Sequence, residues 1–200
     1  MKNKHVTLII LIALLAAIPA LAQKTAVKSN LLYDATTTLN LGAELALSDK
    51  YTLDVSASYN PWTFKNDRKM KLWLLQPEAR YWFCEKFNGH FLGAHLHGGQ
   101  YNWGGMLPWG SGNGKMFGVI KDRHIQENRY QGWLLGAGVS YGYQWILSKR
   151  WSLEANIGVG YASLSYTRYP CGTCGSKTGD GHKNYFGPTK AGISLIYIIK

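Results

Sequence analysis

From residue 25 onward, apolar and polar positions alternate with a period of two, the signature of half-buried β-strands, and no stretch holds a helical period. Leu39, Leu41, Ala43, Leu45 and Leu47 alternate with Asn40, Gly42, Glu44 and Ala46. Beyond Ser48-Asp-Lys50, Leu53, Val55, Ala57 and Tyr59 alternate with Asp54, Ser56 and Ser58. One hundred residues later, Leu147-Ser-Lys-Arg-Trp-Ser-Leu-Glu154 repeats Leu47-Ser-Asp-Lys-Tyr-Thr-Leu-Asp54 in residue type at all but one position, which predicts two equivalent tight hairpins. A third short turn is predicted at 85–89 and a tight connection near 34–37. The other connections, 62–69, 103–128 and 169–183, are longer, polar and Gly-rich. Eight strands follow, at 25–33, 38–47, 51–61, 71–84, 90–102, 130–147, 151–168 and 185–199, mostly as long as a tilted bilayer-spanning strand or longer. The predicted fold is all-β, an eight-stranded up-and-down antiparallel transmembrane β-barrel with short periplasmic turns and longer outer loops.

Residue size predicts which face is inside. In the sixth strand Trp133, Leu135, Ala137, Val139, Tyr141, Tyr143 and Trp145 share one face, and Leu134, Gly136, Gly138, Ser140, Gly142 and Gln144 the other. Eight strands enclose room for little more than their own side chains, so the bulky row points outward, where a bilayer accepts it. The seventh strand agrees, with Trp151, Leu153, Ala155, Ile157, Val159 and Tyr161 outward. This register turns Glu44, Asp54, Glu78, Arg80 and Glu154 into the periplasmic half of the lumen, where buried charges must pair or be neutralised. Glu44 and Asp54 face each other across the first hairpin and repel unless Arg80 or Lys28 intervenes or one carboxyl is protonated. The expectation is a polar plug filling the lumen; a gated proton or ion path is the alternative. His95 and His97, on one face of the fifth strand, are expected to hydrogen-bond to the carboxylates rather than to hold a metal.

The first 22 residues carry Lys2 and Lys4, an apolar run over 6–18 and a small-residue cleavage site at Ala20-Leu-Ala22, so 1–22 reads as a signal peptide and 23–200 as one barrel domain. No later run approaches the roughly 18 apolar residues of a transmembrane helix. The expected location is the bacterial outer membrane. Tyr and Trp supply 21 of the 27 aromatic residues, and their apolar bodies with polar tips suit a boundary between lipid and water.

The formal net charge is +11, and the outer loops and strand tops hold twelve bases, Lys71, Lys183 and Lys190 among them, against five acids. Such a rim attracts anionic glycolipid such as lipopolysaccharide within about a Debye length of 8 Å. No nucleic-acid-binding motif is present, and nucleic acid is not an expected partner. The long loop that begins Trp103-Gly-Gly-Met-Leu-Pro-Trp109 is apolar enough to cover the mouth or touch a partner. Cys171 and Cys174 in the last outer loop are expected to form a short disulfide; a zinc site would need two more ligands, for which His182 and His124 are the recruits. Cys84, at the end of the fourth strand, reads as an unpaired, partly buried thiol. No catalytic residues, metal or cofactor are expected.

Asn30-Leu-Leu-Tyr-Asp-Ala35, Asn40-Leu-Gly-Ala-Glu44, Tyr59-Asn-Pro-Trp62, Gly142-Tyr-Gln-Trp145 and, most specifically, Tyr185-Phe-Gly-Pro-Thr-Lys-Ala-Gly192 resemble a family of small Bacteroidota proteins catalogued as a domain of unknown function and described as outer-membrane barrels. The resemblance covers most of the chain after the signal peptide and implies a location rather than an activity. Relatives often encoded near fimbrial or other surface-structure genes imply an accessory role in surface assembly, with a surface or fimbrial protein as partner. The functional expectation is a non-enzymatic outer-membrane barrel with a structural or surface-interaction role; the alternatives are a small channel through the charged lumen and a lipid-modifying enzyme.

Overall fold

Alternation of period two becomes strands of period two across most of the chain. The structure, a computed structural model, describes residues 25–63, 69–104, 115–116, 120–121, 128–170 and 175–199. In chain order these form β1 (Thr25–Asn30), α1 (Leu31–Ala35), β2 (Leu39–Ala46), β3 (Tyr51–Asn60), β4 (Lys69–Trp82), β5 (Gly89–Gly104), β6 (Lys115–Met116), β7 (Ile120–Lys121), β8 (Asn128–Ile146), β9 (Trp151–Pro170) and β10 (Gly179–Ile199). Eight of the strands pair antiparallel in up-and-down order, and β1 closes onto β10 to complete a ring. Among the described residues β6 and β7 pair only with each other. Among the described residues no helix is long and apolar enough to cross a membrane. The expected signal peptide, residues 1–22, lies outside the described residues.

The repeated octapeptide makes the same turn twice. Leu47 and Ser48 donate their amides to the Tyr51 carbonyl at 2.8 and 3.1 Å, and Leu147 and Ser148 donate theirs to that of Trp151 at 2.9 and 3.0 Å. In both turns the serine hydroxyl, Ser48 or Ser148, accepts the following strand's first amide at 3.2 Å.

Three elements differ from the sequence expectation. β1 stops at Asn30 instead of 33, because the Asn30 side chain caps α1 by accepting from the Leu32 amide. Asn40 fixes this corner, donating to Asp34 at 2.7 Å and to the Asn30 carbonyl while accepting from the Asn30 amide. At the other end, β9 and β10 stay paired up to Arg168 and Gly179, so much of the expected 169–183 loop is strand. The β6–β7 hairpin lies within the expected 103–128 loop.

The outer wall carries the bulk. Leu135 and Val139 are 70% and 60% exposed, with Leu41, Leu96 and Ile157 beside them in the same band. Aromatic rings border it. Toward the short turns Tyr51, Tyr81, Phe83 and His90 follow one another, His90 meets both Tyr141 and Tyr143, and Tyr143 meets Trp145, with centroids 4.5–6.5 Å apart; Trp151 pairs with Tyr197 beyond. Toward the long connections Tyr59, Trp73 and Trp133 form a second border. Ten residues separate Trp133 from Tyr143, which at about 3.3 Å per residue and a tilt of about 40° spans about 25 Å.

Inside, two apolar layers sandwich a polar one. Ala26, Ala46, Trp82, Phe87, Phe91 and Ile196 fill the short-turn end, and Phe87 reaches there from the turn through a positive φ of 64°. Tyr101, Tyr130, Ala162 and Leu164 fill the other end. Small residues leave room for large ones: a Cβ on Gly136 would lie 2.3 Å from His97 Nε2, and one on Gly138 would lie 2.8 Å from the His95 ring.

A bulge between Pro188 and Lys190 inserts Thr189 into β10. The extra residue lets both Thr189 and Lys190 face inward, where Thr189 Oγ1 lies 2.9 Å from His95 Nε2. Deleting Thr189 restores strict alternation and turns Lys190 or the preceding strand to the wrong face. The deletion is expected to lower the denaturant midpoint of unfolding well below that of Thr189→Ala, which loses one hydrogen bond worth about 1 kcal/mol. Equal midpoints would contradict the register.

Candidate functional site: a charged cluster inside the ring

Register brings the cluster together. Glu44 pairs with Asp54, Asp54 with Glu78 and Glu78 with His95, one inward row across β2, β3, β4 and β5. Arg80, one inward position nearer the short turns on β4, lies below this row and opposite Glu154 of β9 across the interior.

The Arg80 guanidinium meets all four carboxylates. Nε donates to Glu78 at 2.6 Å, Nη1 to Glu44 and Glu154 at 2.9 and 2.8 Å, and Nη2 to Asp54 and Glu154 at 3.0 and 3.1 Å. All five donors of the planar fork are thereby used. Its face stacks on Phe91, with Cζ 4.3 Å from the ring centre.

Two lysines bring the cations to three against the four carboxylates. Lys28 pairs with Glu44 and approaches Asp54 and Glu154 at 3.4 Å. Lys190 donates to Glu78 at 2.7 Å and lies 3.7 Å from Asp54. Thr52 donates to Glu44, Trp82 Nε1 donates to Thr52 at 2.9 Å, and Asn156 donates to Glu154 at 2.6 Å. Glu44, Asp54, Glu78, Arg80 and Glu154 are all buried. The space bordering Lys28, Asp54, Arg80 and Lys190 is about 30 Å³, room for a water or two.

The structure gathers Glu44, Asp54, Glu78, Arg80 and Glu154 in one cluster, sets His95 at its edge, and corrects three expectations. Lys190, expected at the outer rim, is inside the ring. The histidines do not hydrogen-bond to carboxylates: His95 Nδ1 stays 3.8 Å from Glu78, the opposite nitrogen meets Thr189, and His97 Nδ1 is buried without a partner among the described residues. Cys84 is exposed rather than partly buried, because the strand has already ended at Trp82. Cys171, Cys174 and His124 lie outside the described residues. Among the described residues no group of three or more His, Cys, Asp or Glu side chains forms a metal site.

Sequence reasoning missed two features of the outer wall. His182 lies between Ser163 and Ser165, each 3.3 Å away, with Asn184 at 3.1 Å. A histidine beside serine hydroxyls can accept a proton from one of them, the first requirement for acyl transfer. Beside it, Tyr59, Trp73, Trp133, Asn102 and Gln131 line a concave space of about 500 Å³ that spans β3, β4, β5, β8 and β9. The signal for both was polar residues at outward strand positions, readable only once strand register placed them side by side.

The sequence motifs lie at structural joints. Asn30, Asp34 and Asn40 tie the α1 corner, and Asn60 and Trp62 reach across to Thr38 and Thr37. Gly187-Pro-Thr-Lys190 makes the bulge. Over residues 6–199 the chain matches the family described as protein of unknown function (DUF3575). No curated protein and no solved structure matches the chain.

Removing the shared cation leaves four carboxylates competing for two lysines. Arg80→Ala is expected to destabilise the fold by about 3–5 kcal/mol, measured by denaturant unfolding, and Arg80→Lys to rescue only part of it because an ammonium offers three donors without the fork. A midpoint unchanged in Arg80→Ala would remove the cluster from the account of stability.

Proposed function

We propose that this chain, which belongs to the DUF3575 family, is a non-enzymatic outer-membrane β-barrel whose packed lumen serves as a structural plug and whose outer end and wall do its work. The observation that carries the reading is the apolar outward band between two aromatic borders, about 25 Å apart. In water such a continuous band is a strong association hazard; in a bilayer it is the required surface. With the wall in lipid, the short turns face the periplasm and the long connections face outward. The partners that fit are outer-membrane lipid, lipopolysaccharide and a surface or fimbrial protein, the last consistent with an accessory role in surface assembly.

A conducting lumen has less support, since the charged layer is closed above and below by buried rings and borders a space of about 30 Å³. A lipid-modifying enzyme rests on the His182 neighbourhood alone.

The test is electrophoretic mobility of the detergent-extracted protein, unheated against boiled. A heat-dependent shift is expected, because a closed membrane barrel stays folded in the detergent. Identical mobility, together with recovery of the protein in the soluble periplasmic fraction, would overturn the reading.

A further inference from the structure

We propose that the concave patch on the outward wall of β4, β5, β8 and β9 binds the sugar headgroup of a phosphorylated glycolipid. The inference rests on the membrane placement proposed above and assigns to it a site and a ligand class.

Register builds the patch from two adjacent rows. Lys71, Asn102, Gln131 and Thr167 are successive Cα partners across the four strands, all on the outward face. One outward position nearer the apolar band run Trp73, Gln100 and Trp133. The two tryptophans stand edge to face at 5.8 Å, and Trp73 Nε1 donates to Gln100 at 3.0 Å, which fixes its ring. The open hollow, about 500 Å³, is large enough for a small ligand.

The lining matches a sugar. Pyranose rings present apolar C–H faces that pack on flat aromatic rings, and hydroxyls that need both donors and acceptors, which amide side chains supply together. Asn102 Oδ1 is buried and has no hydrogen-bond partner among the described residues, so an acceptor is already desolvated there. Charge complements the aromatic floor. Lys71 stands in the upper row, and Arg129, one outward position above Gln131, stacks on Tyr169 at 4.9 Å with its Nε unpartnered among the described residues. Two cations above an amide and aromatic floor fit a phosphate carried on a sugar.

Position selects the occupant. The patch lies on the flank of the ring at the level of the Trp73–Trp133 border, not at its open end. With the wall in a bilayer, that level faces the headgroup layer of the outer leaflet, where the acyl chains of a glycolipid would continue down the apolar band past Leu75 and Leu135.

The full chain in phospholipid nanodiscs is titrated with purified lipopolysaccharide, intact and chemically dephosphorylated, and binding is read by tryptophan fluorescence and by mass spectrometry of retained glycolipid. Lys71→Ala/Gln131→Ala is expected to bind the intact glycolipid roughly ten-fold more weakly while keeping the heat-dependent gel shift. Dephosphorylation is expected to weaken binding to the unaltered chain and to have a smaller effect on Lys71→Ala. Equal affinity for the unaltered chain and the double variant overturns the site. Loss of an acyl chain from the bound glycolipid, abolished by Ser165→Ala, also overturns it as a binding site and makes the wall catalytic. Absence of the gel shift in the unaltered chain overturns the membrane placement instead, so the two failures are told apart.

Discussion

The fold is organised around one guanidinium. Arg80 uses all five of its donors on four buried carboxylates drawn from β2, β3, β4 and β9, and no shorter or less branched cation could reach them together. Isolated buried carboxylates would be too costly to keep ionised, so the cluster exists only as a set. The rest of the interior accommodates that set. Glycines on β8 clear space for the histidines beside it, a bulge delivers Lys190 to it, and aromatic layers close it above and below. An interior so filled cannot also take the Leu, Val and Trp rows, which leaves the wall as their place.

The exterior is the ground for the proposed bilayer placement. A band of exposed Leu, Val and Ile bordered at both ends by Tyr and Trp is what a bilayer requires of a barrel. The same alternation that hides charge inside exposes apolar rings outside. The motifs singled out in the sequence are mostly joints of this ring. Asn30, Asn40 and the Gly-Pro-Thr-Lys bulge hold its corners, whereas Tyr59, Asn60 and Pro61 also border the outward patch that holds Trp73 and Trp133.

The eight strands of the ring, both serine-capped hairpins, the two faces of β8 and β9 and the carboxylates and arginine of the charged cluster were legible in the sequence, because period-two alternation and residue size decide them locally. Lys190 was not, because its face depends on a bulge that shifts alternation by one, and Gly-Pro-Thr reads equally as a loop. α1 escaped notice because a five-residue turn held by Asn30 and Asn40 has no period of its own. The Ser163, Ser165 and His182 neighbourhood and the Lys71 to Thr167 row required register between strands, which along that row pairs residues about 30 to 36 positions apart in the chain.

The central claim is that β8 turns its bulky face to lipid and its small face to a packed, ion-paired interior. Nitroxide labels placed singly at 135, 137, 139 and 141 in a chain whose three cysteines are replaced by serine test it directly in lipid vesicles, through collisions with oxygen and with a water-soluble nickel chelate. The account predicts high oxygen and low nickel accessibility at all four positions. High nickel accessibility there would mean a wall in water and would contradict the account.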